Sequence, residues 1–219
     1  MAGCDEGNSP SDLARAARRA GVADDRVLAA LAAIPRAAFV PARYAAHAYA
    51  DGPLPIGHGQ VTTQPSLSAT MIAGLGLGGG EQVLEIGSGY GYQTALLSRL
   101  AGHVVSIETW PSIAAQARRR LRAEGIGNAL VVTGDGTKGY PSRAPYDAVL
   151  VSAAFPQVPP PLAVQLRAGG RLVQPVGPGG YEQVVLFERW PEGLKQVRVL
   201  AFASFVRLHG EFGFPDKET

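Results

Sequence analysis

Residues 82–100 read QVLEIGSGYGYQTALLSRL, and this stretch decides the fold. Its first five residues, Gln82–Ile86, form a short and mostly apolar run, which predicts a buried β-strand. Three glycines, Gly87, Gly89 and Gly91, follow within one turn, and a helical pattern then runs to Leu100. A strand that passes through a glycine-rich turn into a helix is typical of the first unit of an open parallel sheet.

The same alternation continues downstream. It predicts further strands at Val104–Glu108, Ala129–Thr133, Ala148–Ser152 and Arg171–Pro175. Helices are predicted at Gly91–Leu100, Pro111–Glu124 and Pro160–Arg167, with a short turn or helix near Thr137–Tyr140. Two last strands, Val184–Glu188 and Gln196–Phe202, are joined by a Pro/Gly turn and predict an antiparallel hairpin. We therefore expect an α/β fold with a doubly wound, mostly parallel seven-stranded sheet.

Upstream of residue 81 the pattern predicts a helical cap. One helix opens at Ser11 and stops at Gly21, and a second is capped by Asp24 or Asp25 and ended by Pro35. The prolines and glycines of Phe39–Gln60 predict a long ordered loop with at most a short helix near residues 42–47, and long loops of this kind are usually functional. Helical spacing returns over Gln64–Leu77.

Composition excludes several classes of protein. Hydrophobic residues make up 46% and charged residues 17%, which excludes a disordered chain. No uncharged apolar run reaches the ~18 residues of a membrane span, and the first ten residues do not resemble a secretory signal. The single cysteine, Cys4, cannot form an intramolecular disulfide or a cysteine-based zinc site, so no metal site is predicted and a cytoplasmic protein is expected. A net charge of +2 gives no reason to expect a nucleic-acid partner, and the run Arg118–Arg122 is predicted to be a solvated helix face.

Acidic residues end three consecutive predicted strands. Glu85 stands two residues before Gly87, Glu108 ends the second strand, and Asp135 follows the third within Gly134-Asp135-Gly136. The glycine spacing is not the dinucleotide fingerprint GxGxxG, and Glu85 would repel a diphosphate at the helix N-terminus. Taken alone, each of these glycine-containing turns is equally well explained as an ordinary connection between a strand and a helix. Together, the three acids predict a site for a cationic nucleoside, and S-adenosylmethionine fits this description.

The motifs also carry a family resemblance. EIGSGYGYQTALLS, SIE, GDG and APYDAVLVSAA resemble class I S-adenosylmethionine-dependent methyltransferases, which have a Rossmann-like fold. IPRAAFVP, YADGPLPIGHGQ, TTQP and LRAGGRLVQPVG narrow the resemblance to the protein-L-isoaspartate (D-aspartate) O-methyltransferase family, over roughly residues 25–178. The resemblance implies methyl transfer to the α-carboxylate of L-isoaspartyl residues in damaged proteins, which starts repair through a succinimide.

The sequence pattern predicts a division of the chain, and the resemblance implies a set of site residues. Residues 1–10 are expected to be a disordered leader and 11–219 one domain, with N-terminal helices and substrate loop (11–80), cofactor-binding core (81–180) and C-terminal strands (181–219). The implied cofactor residues are Glu85, Gly87, Ser88, Gly89, Gln93, Glu108, Gly134, Asp135 and Gly136. The implied substrate residues are Ile56, His58, Gln60, Val61, Thr62, Ala153 and Ala154, with Thr63 as the catalytic residue.

Two departures from the family pattern keep alternatives open. Thr63 stands where the family usually has a serine, and it either hydrogen-bonds the substrate carboxylate or only caps the following helix. Arg207 replaces a proline, and it either pairs with a peptide carboxylate or sits in solvent, which we favour. For His58 and Asp51 we favour structural hydrogen bonds, that of His58 to backbone. A methyltransferase dedicated to one peptide or small molecule, and a cofactor-binding protein without catalysis, remain as competing functions. A monomer is expected.

Overall fold

A computed structural model describes residues 9–215 of the chain, so Cys4 and most of the expected leader lie outside the described residues. Its helices are α1 (Pro10–Arg19), α2 (Asp25–Ala33), α3 (Pro65–Leu75), α4 (Tyr92–Leu100), α5 (Pro111–Ala123) and α6 (Pro160–Gln165). Its strands are β1 (Leu54–Gly57), β2 (Gln60–Thr62), β3 (Gln82–Ile86), β4 (His103–Glu108), β5 (Ala129–Thr133), β6 (Tyr146–Val151), β7 (Leu166–Val176), β8 (Glu182–Trp190) and β9 (Gly193–Ala203). Short 3-10 helices lie at Arg36–Phe39, Ala42–His47, Gly136–Lys138 and Pro141–Arg143.

The predicted seven-stranded sheet is confirmed. Its strand order is β5-β4-β3-β6-β7-β8-β9. The first five of these strands are parallel to one another, and β8 is antiparallel to both β7 and β9. The chain moves outward from β3 through β4 to β5 and then returns to the other side of β3 with β6. This reversal places the ligand-binding end of the sheet beside the carboxyl ends of β3 and β6.

Both faces of the sheet are covered, as its apolar central strands require. The larger core lies under α1, α2, α3 and α4 and includes Leu31, Ile72 and Leu97, all at most 1% exposed. The smaller core lies on the other face, around Leu84, Val149 and Leu172, which are fully buried. Charged side chains are scarce in both cores, because burial of an unpaired charge is costly. Among residues 9–215, the charged residues Arg36, Glu85 and Glu182 are nevertheless at most 1% exposed, and the first two bear on the site.

Several predicted boundaries need correction. Helix α1 begins at Pro10 with Ser9 as its cap, so Ser9 and Pro10 are not part of a disordered leader. Helix α6 ends at Gln165, because β7 begins earlier than predicted, pairing Leu166 with Tyr146 across a bulge. The stretch Phe39–Gln60 contains the expected short helix, a 3-10 helix at Ala42–His47, but the rest is not all loop, since it also holds most of an antiparallel hairpin formed by β1 and β2.

Candidate active site

Three acidic side chains lie at the carboxyl ends of the adjacent strands β3, β4 and β5. Glu85 is fully buried, Glu108 is 6% exposed, and Asp135 is half-buried. The sequence-based expectation that these residues meet at one edge of the sheet is met by the strand order. Each acid nevertheless has a different set of partners, and these partners decide what each can do.

Glu85 is enclosed by donors from the protein itself. Ser106 Oγ donates to its carboxylate at 2.6 Å, Thr94 Oγ1 at 2.5 Å and Gln93 Nε2 at 3.2 Å. Burial raises the pKa of Glu85 to about 7, against the effect of these hydrogen bonds, and nearby Glu108 raises it further. With its oxygens bound by protein donors, Glu85 can act on a ligand only through its charge and through Gln93, whose amide also donates to Ser152 Oγ at 2.7 Å.

Glu108 is tied to the two loops that flank it. The backbone N–H of Gly89 donates to its Oε2 at 3.0 Å, and that of Trp110 donates to Oε1 at 3.1 Å. Burial raises the pKa of Glu108 above its usual value, although these hydrogen bonds work in the opposite direction. A carboxylate in this position can still accept hydrogen bonds from a ligand, because each oxygen has a second lone pair.

Asp135 is tied to the C-terminal segment. Thr137 donates to Oδ1 from its backbone N–H at 2.9 Å and from its hydroxyl at 2.6 Å, and the N–H of Glu211 donates to Oδ2 at 2.9 Å. Burial favours a higher pKa for Asp135, but the hydrogen bonds from Glu211 and Thr137 and the nearby Lys138 bring it below its usual value. Asp135 is therefore ionised, and the segment around Glu211 closes this end of the site.

The glycine turn after β3 has the backbone that glycine permits. Gly87, Gly89 and Gly91 have φ values of 92°, 52° and 94°, which side chains with a Cβ rarely adopt. A Cβ at Gly89 would lie 3.2 Å from Ile56 Cδ1, so the turn packs under the β1–β2 hairpin. Ser88 is buried within the turn, and Gly134 hydrogen-bonds the carbonyl of Glu108 at 3.0 Å. A Cβ at Gly136 would lie 2.5 Å from Ile86 Cγ2, so this glycine lets the 3-10 helix Gly136–Lys138 pack closely on the end of β3.

The β1–β2 hairpin carries most of the predicted substrate residues. Ile56 is buried against the glycine turn, Val61 is 45% exposed, and Gln60 donates from its side-chain amide to the carbonyl of His58 at 3.1 Å. The Thr62 hydroxyl is buried, accepting from Arg36 Nη2 at 2.8 Å and from the N–H of Leu54 at 3.1 Å. Thr62 thus holds the hairpin in place.

Arg36, which sequence reasoning missed, organises the base of this hairpin. Its guanidinium is fully buried and donates to the carbonyls of Ala48, Ala50 and Gly52 at 2.7–3.1 Å as well as to Thr62. Burial lowers the pKa of Arg36 to about 10, so it remains charged at neutral pH. Its only sequence signal was its position after Pro35, within the segment that resembles the family.

Thr63 follows the hairpin directly and is half-buried. The alternative that Thr63 caps the next helix is wrong, because Gln64 is the N-cap residue of α3. Asp51 instead serves this helix end, accepting from the N–H of Ser66 and from Gln64 Nε2, both at 2.9 Å. The structural hydrogen bond expected for Asp51 is therefore confirmed, and the Thr63 hydroxyl is not needed for capping.

The turn after β6 carries the two remaining predicted substrate residues. Ala154 is fully buried and Ala153 is 8% exposed. Ala154 exchanges backbone hydrogen bonds with the C-terminal segment, accepting from Leu208 at 2.8 Å and donating to Val206 at 2.7 Å. Arg207, between them, is exposed, and its guanidinium lies over the ring of Phe214 at 5.1 Å.

His58, at the tip of the hairpin, differs from our expectation. Its ring hydrogen-bonds a side chain rather than backbone, since Nε2 lies 2.9 Å from Ser112 Oγ. It also stacks on Trp110 with ring centroids 4.2 Å apart. A cleft of about 340 Å³ lies beside this contact, between the hairpin tip, Tyr90 and the first turn of α5.

Residues 9–215 lack two further features. No helix in this part of the chain is both long and apolar enough to cross a membrane. No group of three or more His, Cys, Asp or Glu side chains is arranged there as a metal site.

Comparison with known proteins identifies the family. A family model described as protein-L-isoaspartate(D-aspartate) O-methyltransferase matches residues 8–212. The chain belongs to this family. The protein-L-isoaspartate O-methyltransferase of Anaeromyxobacter dehalogenans (strain 2CP-C) is 52% identical over 190 residues, which cover 86% of this chain and 91% of the relative. That of Methanoculleus marisnigri is 50% identical over 90% of this chain and 89% of the relative.

Solved structures agree with this membership in the family. A protein-L-isoaspartate O-methyltransferase structure superposes with a TM-score of 0.81 and 30% sequence identity, covering 93% of this chain and 67% of that one. A Plasmodium falciparum structure, described as a putative protein-L-isoaspartate O-methyltransferase in complex with S-adenosyl-L-homocysteine, superposes with a TM-score of 0.77. It is 18% identical, covers 92% of this chain and 99% of that chain, and supports the fold alone.

Proposed function

We propose that this protein transfers a methyl group from S-adenosylmethionine to the α-carboxylate of L-isoaspartyl residues in damaged proteins. The methyl ester then closes to a succinimide, whose hydrolysis returns part of the material to normal aspartate. The observation that carries the proposal is the meeting of Glu85, Glu108 and Asp135 at adjacent strand ends, under a hairpin that leads directly into Thr63. Membership in the family supports the same reaction.

The residues present fit S-adenosylmethionine. Gln93 Oε1 is buried and has no hydrogen-bond partner among the described residues, so it can accept from an ammonium group. Two buried carboxylates, Glu85 and Glu108, favour a positively charged ligand over a neutral one. The proposed cofactor residues are Glu85, Gly87, Ser88, Gly89, Gln93, Glu108, Gly134, Asp135 and Gly136.

The protein's own part in the reaction is to position the two reactants and to exclude water from them. The cofactor supplies a methyl group on a positively charged sulfur, which keeps the electron pair when a carboxylate oxygen takes the methyl. That carboxylate is already ionised at neutral pH, so no general base is needed. Thr63 donates a hydrogen bond that orients it, and holding two reactants in line can supply about 7–11 kcal/mol.

The peptide side of the site is proposed to be the β1–β2 hairpin and the turn after β6. Its residues are Ile56, His58, Gln60, Val61, Thr62, Ala153 and Ala154. The buried Thr62 and Ala154 shape the pocket, because their polar groups already have partners within the protein. Exposed Val61 is free to contact a peptide. Damaged proteins of many sequences are the expected partners.

A carboxyl methyltransferase dedicated to one substrate is the second candidate. Arg207 favours it, because this cation is exposed beside Ala154, where it would meet the substrate. A panel of isoaspartyl peptides with unrelated flanking sequences separates the two. Similar kcat/KM values across the panel support repair, whereas a strong preference for one sequence supports the dedicated enzyme. We further propose a cytoplasmic monomer without a nucleic-acid partner, and sedimentation at several protein concentrations tests the monomer.

The reaction itself is tested by its products. An isoaspartyl peptide incubated with the protein and S-adenosylmethionine should yield the methyl ester, then succinimide and aspartyl peptide, resolved by chromatography and mass spectrometry. Glu108→Ala should weaken cofactor affinity by about 1–3 kcal/mol, the cost of removing the partner of a buried polar group. Glu124→Ala, on an exposed position after α5, is the control. Absence of the succinimide and aspartyl products would contradict the proposal.

A further inference from the structure

The tip of the β1–β2 hairpin stands clear of the protein except through one side chain. Gly57, His58 and Gly59 all have positive φ, and His58 is the one non-glycine residue of this kind between residues 9 and 215. A Cβ built on Gly57 or Gly59 would meet nothing within 4 Å. His58, in contrast, reaches across 54 residues of sequence to the loop after β4.

The contact that His58 makes has two parts. Its ring lies nearly parallel to Trp110, at an angle of 16° and a centroid distance of 4.2 Å. Its Nε2 hydrogen-bonds Ser112 Oγ at 2.9 Å. The stacking and the hydrogen bond fix the ring from two directions, which a random surface contact does not do.

The loop that His58 contacts is also the loop that holds Glu108. The N–H of Trp110 donates to Glu108 Oε1, and the N–H of Gly89 donates to the other oxygen. His58 therefore packs on the residue that orients the Glu108 carboxylate. On the same hairpin, Ile56 packs against Gly89. The hairpin thus packs, through His58 and Ile56, on the two residues whose backbone N–H groups bind this acid.

We propose that His58 is a positioning residue that latches the β1–β2 hairpin onto Trp110 and Ser112, so that the peptide side and the cofactor side of the site close together. The latch acts through Trp110 on Glu108. It rests on the proposed function, in which Glu108 holds the cofactor and the hairpin holds the peptide.

The latch should affect binding more than turnover. Thr63 is anchored at the base of the hairpin, where Arg36 and Asp51 hold the neighbouring backbone, and these contacts do not involve His58. A saturated enzyme without the latch therefore still presents Thr63 correctly. His58→Ala should raise KM for both cofactor and isoaspartyl peptide, while kcat stays within about twofold.

Calorimetry with S-adenosylhomocysteine tests the latch independently of turnover. His58→Ala should weaken its binding about tenfold, the size expected for losing an exposed ring stack and one hydrogen bond. His103→Ala is the control, since His103 is exposed at the opposite end of β4. Unchanged affinity in His58→Ala would overturn the proposal. If neither the unmodified protein nor any variant methylates peptides, but His58→Ala still binds S-adenosylhomocysteine more weakly, the proposed function is wrong and the latch is supported.

Tryptophan fluorescence and a rescue variant complete the test. The chain has two tryptophans, so a Trp190→Phe background leaves Trp110 as the reporter. Trp110 emission should change in His58→Ala but not in His103→Ala. His58→Phe keeps a ring for stacking and should recover at least half of the lost binding free energy. Unaltered Trp110 emission in His58→Ala, or no recovery in His58→Phe, would contradict the latch.

Discussion

At the scale of single residues, the site depends on a carboxylate that no ligand can reach directly. The Glu85 carboxylate is surrounded by Ser106, Thr94 and Gln93. Their hydrogen bonds take the place of those that water would make. Its burial makes ionisation costly, and this cost is reduced when a positive charge is bound nearby. Under the proposed function, Glu85 therefore favours a cationic ligand by electrostatics, and Gln93 offers that ligand a hydrogen-bond acceptor.

The pH dependence of cofactor binding follows from Glu85. Its pKa is raised from 4.5 to about 7, so its contribution to stability is present in full below pH 4.5 and is lost as the pH rises through 7. A cationic ligand favours the ionised form, so cofactor affinity should increase between pH 6 and 8, with release of a proton. Calorimetry in two buffers of different ionisation enthalpy measures both effects.

Glu85→Gln is the matched variant for this prediction. The amide has the shape of the protonated acid but cannot ionise, so its cofactor affinity should change less with pH over the same range. An affinity that is flat with pH in the unmodified protein, or equally steep in Glu85→Gln, would refute the assignment of this titration to Glu85.

At the scale of structural elements, Arg36 links the 3-10 helices to the hairpin. It satisfies carbonyls of a segment that has too few residues in regular structure to pair them, which a buried backbone requires. Arg36→Met should lower the free energy of unfolding by about 3 kcal/mol, because it leaves several buried acceptors unpaired. Urea unfolding measures this loss, and hydrogen exchange over residues 48–63 locates it.

The control for Arg36 is the neighbouring Arg43. It is exposed on the 3-10 helix Ala42–His47, and its guanidinium lies over the ring of Tyr44. Arg43→Met should cost less than about 1 kcal/mol, the usual limit for surface substitutions. Equal losses in the two variants would show that Arg36 does not organise the hairpin.

A second element, the C-terminal segment, is tested at Gly210. Its φ is 144°, and a Cβ there would lie 2.1 Å from Asp135 Oδ1. Gly193 has a similar φ of 135°, but a Cβ there meets nothing within 4 Å. Gly210→Ala should therefore weaken cofactor affinity and stability more than Gly193→Ala, which carries backbone strain alone. Equal effects in calorimetry and thermal unfolding would contradict the closure of the site by this segment.

At the scale of the whole molecule, the sequence predicted the sheet better than its surroundings. Strands β3 and β5 match the predicted ranges, because short apolar runs bounded by glycine or charge have one interpretation in a parallel sheet. The hairpin was missed, because its prolines and glycines indicated a loop. The tip uses positive φ at Gly57, His58 and Gly59, and such dihedral angles leave no periodic pattern in the sequence.

The candidate site also has features that the sequence predicts and features that it does not. Glu85, Glu108 and Asp135 could be predicted together, since parallel strands bring their carboxyl ends to one edge. Three other features could not be predicted, because each joins elements distant in sequence. They are the burial of Arg36, the stacking of His58 on Trp110 and the contact of Glu211 with Asp135. Family resemblance named His58 but gave no reason for its contact with the loop after β4.

The central claim is that the protein methylates an isoaspartyl linkage and not an aspartyl linkage at the same position of a peptide. Labelled S-adenosylmethionine should be offered with paired peptides of one sequence that differ only in an aspartyl or isoaspartyl linkage, and methyl ester formation should be measured for each. We expect methylation of the isoaspartyl peptide and no more than background for its aspartyl partner. Equal methylation of the two peptides, or none of the isoaspartyl peptide, would contradict the account.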